Sequence, residues 1–305
     1  MHIYICAYEV DLLSNQKRKA KELKLKYYGT GGGAGIPEIF CDCRVCRHAR
    51  EFGGKDIRTR SQAVIDDKIS IDFSVDTFLH TAFYGLDMRR IHNLVITHAH
   101  FDHFLTQDLF SRAQGYESPL NVYCTPASST KMCETIDARE KAYAEGRRIK
   151  TSDFWVDYHP LEVGVPFEID EYRFTPLKAH HAQGVQSVMY VIDNLKEDKH
   201  LLWAHDTGPF YTSAWDWLKT YEHVFDFVSL DCTLGRGELI TAAHMDIEGC
   251  YDTKEKLRSM GLLDDHTKVY LSHIGHLLDR THEELTAEAA ELGMIPAFDG
   301  LTVEI

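Results

Sequence analysis

The sequence has no apolar run of the roughly 20 residues that a membrane-spanning helix needs, so an integral helical membrane protein is excluded. It is also short of positive charge. Lys and Arg total 33 against 47 Asp and Glu, a formal net charge of -14, so no overall field draws nucleic acid or phospholipid, although a local cationic site remains open. Proline is scarce at 8 and glycine ordinary at 20. No low-complexity tract, internal repeat or linker divides the 305 residues. Residues 1–22 place their basic run after the apolar residues and carry no long apolar segment or small-residue cleavage site; secretion is disfavoured and a cytoplasmic location is expected. Of 8 cysteines, three cluster as Cys41-Asp-Cys43-Arg-Val-Cys46 and the rest are dispersed, which suits a reducing compartment better than a disulfide framework.

What is present is ample core material, 44% apolar and 11% aromatic, enough for one large domain. Residues 1–22 read as an appendage and 23–305 as the domain. Leu23 to Tyr28 reads as a strand ending in the glycine loop Gly29-Thr-Gly-Gly-Gly-Ala-Gly35. That loop allows positive φ or close approach of another backbone. It is no phosphate-binding P-loop, because Ile36-Pro37 follows instead of Gly-Lys-Ser/Thr. Ser61–Ile65 and Lys68–Asp72 form a hairpin about Asp66-Asp67, followed by a helix from Asp76 to Tyr84. Further strands are read at 91–97, 121–124, 155–158, 172–178, 187–192, 201–204, 224–230 and 268–271. Helices are read from Leu105 onward and at 128–146, 213–221, 246–259 and 281–291. Interleaved strands and helices predict a layered α/β domain with helices outside the sheets.

Histidine is abundant, at 18 residues, and its clustering points to metal. Thr97-His98-Ala-His100-Phe-Asp102-His103 packs three imidazoles and a carboxylate into six residues after an apolar strand. A turn there lets His98 and His100 reach one point and Asp102 and His103 a neighbouring one. These donors suit zinc, manganese or iron. One loop cannot enclose two ions, so further ligands are expected at later strand ends, where His180-His181, Asp206 and His273 stand. Asp72 ends another strand and is expected behind the site, accepting from loop backbone or a ligand histidine. Asp231 ends an apolar strand too, and His244 precedes a helix in Ala-Ala-His-Met-Asp. The three cysteines supply soft ligands, one short of the four of structural zinc. Arg58 and Arg60 are candidates for a bidentate phosphate contact or for neutralising acidic loops.

The series His-x-His-x-Asp-His followed by distant His, Asp and His resembles the metallo-β-lactamase superfamily, over about residues 23 to 290. That resemblance implies a four-layer αββα sandwich with the metals at one sheet edge. It also implies two divalent catalytic ions, zinc or manganese: His98, His100 and His181 on the first, Asp102, His103 and His273 on the second, and Asp206 bridging. His180 remains the alternative to His181. The glycine loop, the cysteines and Arg58-Thr-Arg60-Ser61 are similar to a narrower branch, the phosphoribosyl cyclic phosphodiesterases of phosphonate utilisation. There, a structural zinc would take Cys41, Cys43, Cys46 and His276, and His244 would face the phosphate. The cofactor-biosynthesis protein of pyrroloquinoline quinone pathways shares the glycine and cysteine pattern.

The function so implied is a dinuclear-metal phosphodiesterase acting on a small or cyclic phosphate ester, with Asp102, Asp206 and His244 in the catalytic group. The alternatives are a lactone or thioester hydrolase, an RNA-processing nuclease, and a non-hydrolytic accessory protein of cofactor biosynthesis. The nuclease needs a basic RNA-holding arm, and the insert at 134–160 offers only Arg147, Arg148 and Lys150 among several acids. The diiron branch has Glu where this chain has His100. The expected partner is a small phosphate-containing substrate, without membrane or nucleic acid, and residues 1–22 are a candidate homodimer element.

Overall fold

Alternation along each strand decides which of two cores a side chain enters. In the computed structural model, which describes residues 23–113, 118–144, 156–235 and 243–305, Trp203, Phe227 and Tyr270 point to one side of a sheet. Their neighbours Leu202, Val228 and Leu271 point to the other. The sheet holding them has seven strands. In spatial order these are β13 (Ile295–Pro296), β12 (Lys268–Ser272), β11 (Phe227–Asp231), β10 (Lys199–Ala204), β9 (Val188–Asn194), β8 (Tyr172–Lys178) and β7 (Phe167–Ile169). A second seven-stranded sheet runs β14 (Thr302–Glu304), β1 (Lys24–Gly29), β2 (Gln62–Ile65), β3 (Ile69–Ile71), β4 (Asn93–Val95), β5 (Leu120–Cys124) and β6 (Val156–Pro160).

The sheets face each other across a core of Leu25, Tyr27, Ile65, Ile71, Phe174, Tyr190 and Trp203, all at most 1% exposed. Outside the second-named face of β9 to β12 lie α1 (Arg44–Phe52), α4 (Thr212–Leu218), α5 (Ile247–Ser259) and α6 (His282–Glu291). They seat Val45, Ala214, Leu257 and Leu285 on Leu202, Val228 and Leu271. The other sheet carries α2 (Thr77–Phe83) and α3 (Pro126–Ala144), where Met132 joins Val64, Leu94 and Val122. The result is the four-layer αββα sandwich expected from the sequence. Among the described residues, no helix is long and apolar enough to cross a membrane.

Local chemistry sets the boundaries. Asp66 and Asp67 both take positive φ, 50° and 56°, the backbone that a two-residue hairpin turn requires. Helix α6 starts in a capping box, Thr281 with Glu284, and the Asp246 side chain accepts from Gly249 N at 2.8 Å to open α5. Some expectations shift. The segment after Leu105 is a 3₁₀ helix, Thr106–Ala113, and α3 starts at Pro126, where the sequence reading placed its first residue at 128. Strands β7, β13 and β14 were missed: each is at most 3 residues long and held by pairing, too short to show a period. The appendage 1–22, Trp155 and the basic Arg147, Arg148 and Lys150 lie outside the described residues.

Candidate metal centre

Three parallel strands release their chains at one edge. β10, β11 and β12 are in register, Ala204 beside Leu230 and Asp231 beside Ser272, so Asp206, Asp231 and His273 emerge together. β4 delivers Thr97 and His98 from the other sheet. Asp72, Asp206 and His273 all take positive φ, 64°, 49° and 54°. Left-handed backbone is costly for non-glycine residues and recurs at functional sites; here each instance ends a strand abruptly.

Two groups of side chains meet there and share Asp206. His98, His100, His181 and Asp206 form one, and Asp102, His103, Asp206 and His273 the other, each with donor atoms within 4.8 Å of one another. In the first, His98 Nε2 is 3.2 Å from Asp206 Oδ2 and His181 Nε2 is 3.1 Å from His100 Nδ1. In the second, His103 Nε2 lies 2.7 Å from Asp206 Oδ2 and 3.4 Å from Asp102 Oδ2. His273 Nε2 lies 3.3 Å from Asp206 Oδ1. His180 turns away: its Nδ1 is 3.1 Å from Pro209 O and its ring packs on Tyr211. The geometry thus gathers His181, not its neighbour.

Buried partners fix the ring orientations. His103 Nδ1–H donates to Asp72 Oδ2 at 2.6 Å, and Asp72 also accepts from Thr97 N at 2.8 Å, the role read for Asp72 from its position. His273 Nδ1 faces Thr233 Oγ1 at 2.8 Å and Asp231 Oδ2 at 3.3 Å. With both Nδ1 atoms committed to oxygens, the two Nε2 atoms face each other at 3.3 Å beside two carboxylates. Lone pairs so arranged repel unless a cation or a proton lies between them. The buried His98 Nε2 and His181 Nδ1 make no well-directed hydrogen bond, the nearest oxygen to His98 Nε2 being Asp206 Oδ2 at 3.2 Å, which is costly in an interior.

The electrostatics agree. Burial lowers His98, and lowers His181 to about 4, so both are neutral imidazoles, the form that ligates. Burial would also lower His103 and His273. The Asp206 carboxylate, with its acidic neighbours, overrides it, raising His103 well above the usual range and His273 to about 10. Burial opposes ionisation of Asp102 and Asp206, yet the neighbouring histidines hold both below the usual carboxylate range. This excess of acceptors fits divalent ions, which replace the protons on the same nitrogens.

On the rim, His244 is 19% exposed, with Nδ1 3.0 Å from Asp231 Oδ2 and 3.4 Å from Asp206 Oδ1. Burial lowers its pKa but Asp231 and Asp206 raise it overall. The glycine loop covers the second group. A Cβ on Gly33 would stand 3.0 Å from Asp102 Oδ2, and one on Gly32 3.1 Å from His273 Cε1. Arg60 ties this loop down, donating to Gly33 O at 3.2 Å and pairing with Asp76.

A separate cluster brings Cys41, Cys43, Cys46 and His276 together. His276 Nδ1 is 3.4 Å from Cys41 Sγ and 3.6 Å from Cys43 Sγ, and its Nε2 is 3.1 Å from Glu38 Oε2. Backbone N–H groups of Glu38, Cys43 and Cys46 each donate to a sulfur. Burial would raise the Cys43 thiol, but the Cys46 N–H and His276 bring it to about 6; burial takes Cys46 up to about 12. Four donors, three of them soft, fit a zinc-like ion.

Of the two readings open for Arg58, the phosphate contact falls away: Arg58 is 3% exposed, donates to Thr30 Oγ1 and Ala297 O at 2.9 and 2.7 Å, and has the carboxylates of Asp299 and Asp56 near it. Thr97 and Thr233, whose hydroxyls face His98, His103 and His273, went unread because a lone threonine carries no signal beyond its place at a strand end.

Residues 68–274 match the family described as Beta-lactamase superfamily domain. Among solved structures, a diphosphatase from the PhnP family superposes with a TM-score of 0.71 at 21% identity, covering 93% of this chain and 98% of that one. Zinc-bound PqqB from Methylobacterium extorquens gives 0.67 at 16%, covering 92% and 100%. The short form of human tRNase Z gives 0.60 at 14%, covering 92% and 99%. At these identities the likeness is one of fold. An octanoyltransferase from Porphyromonas gingivalis is 38% identical over 79 residues, 25% of this chain and 15% of that protein.

Proposed function

This chain belongs to the beta-lactamase superfamily, and on that premise we propose that it is a metal-dependent hydrolase, a phosphodiesterase acting on a small or cyclic phosphate ester. The supporting observation is Asp206, shared by two groups of nitrogen and oxygen donors, each with its ligand atoms within 4.8 Å of one another. In this reading His98, His100 and His181 hold one ion, Asp102, His103 and His273 the other, and Asp206 both. Nitrogen and oxygen donors accommodate zinc or manganese. Cys41, Cys43, Cys46 and His276 hold a structural zinc. Residues 23–305 act as one catalytic unit, to which 1–22 are an appendage.

When bound, a pair of divalent ions supplies Lewis acidity and lowers the pKa of water. The chain supplies the rest. Asp231, with its Oδ2 3.0 Å from His244 Nδ1, raises the pKa of that ring and so favours its protonated form. As water oxygen bonds to phosphorus and the ester P–O bond breaks, His244 gives its proton to the leaving oxygen and recovers one from solvent. The glycine loop closes over Asp102 and His273, approaching both more tightly than a residue with a side chain would ordinarily allow. The PhnP-family diphosphatase among the fold relatives favours phosphorus over a carbonyl centre. The test is a panel of bis-p-nitrophenyl phosphate, ribose cyclic phosphates, cyclic nucleotides, lactones and thioesters. Hydrolysis of a phosphodiester is expected; turnover confined to lactones or thioesters would overturn the reading.

A further inference from the structure

At the opposite end of β10 from Asp206 stands a second histidine group that the catalytic reading does not use. Asp198, His200 and His223 carry donor atoms within 4.8 Å of one another. Asp206 and His200 are separated by most of β10, roughly 20 Å at about 3.3 Å per residue, so this group is not part of the dinuclear centre.

Its construction resembles that of a ligating site. His200 is 8% exposed, and its Nδ1–H donates to Asp193 Oδ1 at 2.8 Å. Asp193 is itself largely buried and accepts a hydrogen bond from the Tyr221 hydroxyl. That bond fixes the ring and leaves Nε2 directed outward, 3.4 Å from Asp198 Oδ1. A carboxylate behind one imidazole nitrogen, with the other facing a shared point, is the arrangement that orients metal-bound histidines. Asp198 sits at φ 51° in the turn joining β9 to β10. The turn presents it beside His200 from one element, while His223 comes from the loop after α4, its ring 4.1 Å from that of His200 and tilted 26°. Asp198 and His223 are exposed, so an ion can enter from solvent and keep water in its remaining positions.

We propose that Asp198, His200 and His223 form a surface site for a divalent transition-metal ion of imidazole preference, such as Zn²⁺ or Ni²⁺. Bound there, the ion would clamp the β9–β10 turn to the loop behind α4. The competing arrangement is a protonated His200 held between Asp193 and Asp198, with no ion. Calorimetric titration of Ni²⁺ into the metal-loaded, desalted enzyme separates the two. Wild type should bind one equivalent more than His223→Ala, and Asp198→Asn should weaken that equivalent about tenfold or more. Turnover by either variant should be unchanged, since both residues are exposed and remote from Asp206. Equal stoichiometry and affinity in wild type and His223→Ala would overturn the proposal.

Discussion

Asp206 is fully surrounded by imidazoles: His98, His103, His181, His244 and His273 all lie within 3.9 Å of its oxygens. At this scale much was readable, because three histidines and an aspartate fall within six residues and the remaining donors each end an apolar run. What could not be read was direction. His180 and His181 are adjacent in sequence, and only the Thr207 hydroxyl, which accepts from His180 N at 2.9 Å, together with Pro209 O, settles which ring turns inward. The choice between the two readings of Arg58 was not legible because burial of an arginine depends on partners more than 200 residues away, Ala297 and His282. For His244 the account predicts that His244→Ala lowers kcat on phosphodiesters about 10²–10⁴-fold, the range for a general acid. Metal content, read by elemental analysis, should not change.

The elements that carry these residues make their own predictions. The glycine loop passes so close that the first carbon added by Gly33→Val stands 3.0 Å from Asp102 Oδ2, too tight for the branched side chain beyond it unless Asp102 shifts. Metal content of the dinuclear centre should fall while the cysteine-held ion stays, as elemental analysis can show. In α2, His80 is buried with Nδ1 2.6 Å from Gln62 Oε1 and Nε2 2.8 Å from Thr59 Oγ1, and burial lowers it to about 4. The unfolded chain therefore binds this proton at higher pH than the folded one. Stability from neutral His80 is complete above about pH 6.5 and is lost as pH falls through about 4, with a slope of up to about 1.4 kcal/mol per pH unit. Urea unfolding between pH 7 and 4 should show a shallower decline for His80→Gln than for wild type. Secondary structure was legible where a helical period repeats, as in α5, and where an apolar run is long enough to stand out, as in β9. It was not legible in β13 and β14, whose two and three residues become strands only because β12 and β1 offer free edges.

For the whole molecule, the alternating strands and interleaved helices pointed to a layered α/β domain, and the resemblance carried by the histidine and aspartate series implied the two-sheet sandwich with the site at one sheet edge. The pairing of β1 with β14, Lys24 beside Glu304, joins segments almost a full chain apart, and no local pattern encodes it. The two sheets bring His98, from one, and Asp206 and His273, from the other, to a common centre, so ions held there tie the sheets together. Binding to the folded state alone raises stability. Exhaustive chelation should therefore lower the melting temperature measured by calorimetry, and restored Zn²⁺ or Mn²⁺ should recover it. The central claim is that Asp206 belongs to two ions at once, and the most direct measurement is metal content per chain, by elemental analysis after mild chelation to clear exposed sites. The account predicts three equivalents in wild type and only the cysteine-held one in Asp206→Ala, with hydrolysis abolished. An Asp206→Ala protein that keeps all three ions and full turnover would contradict it.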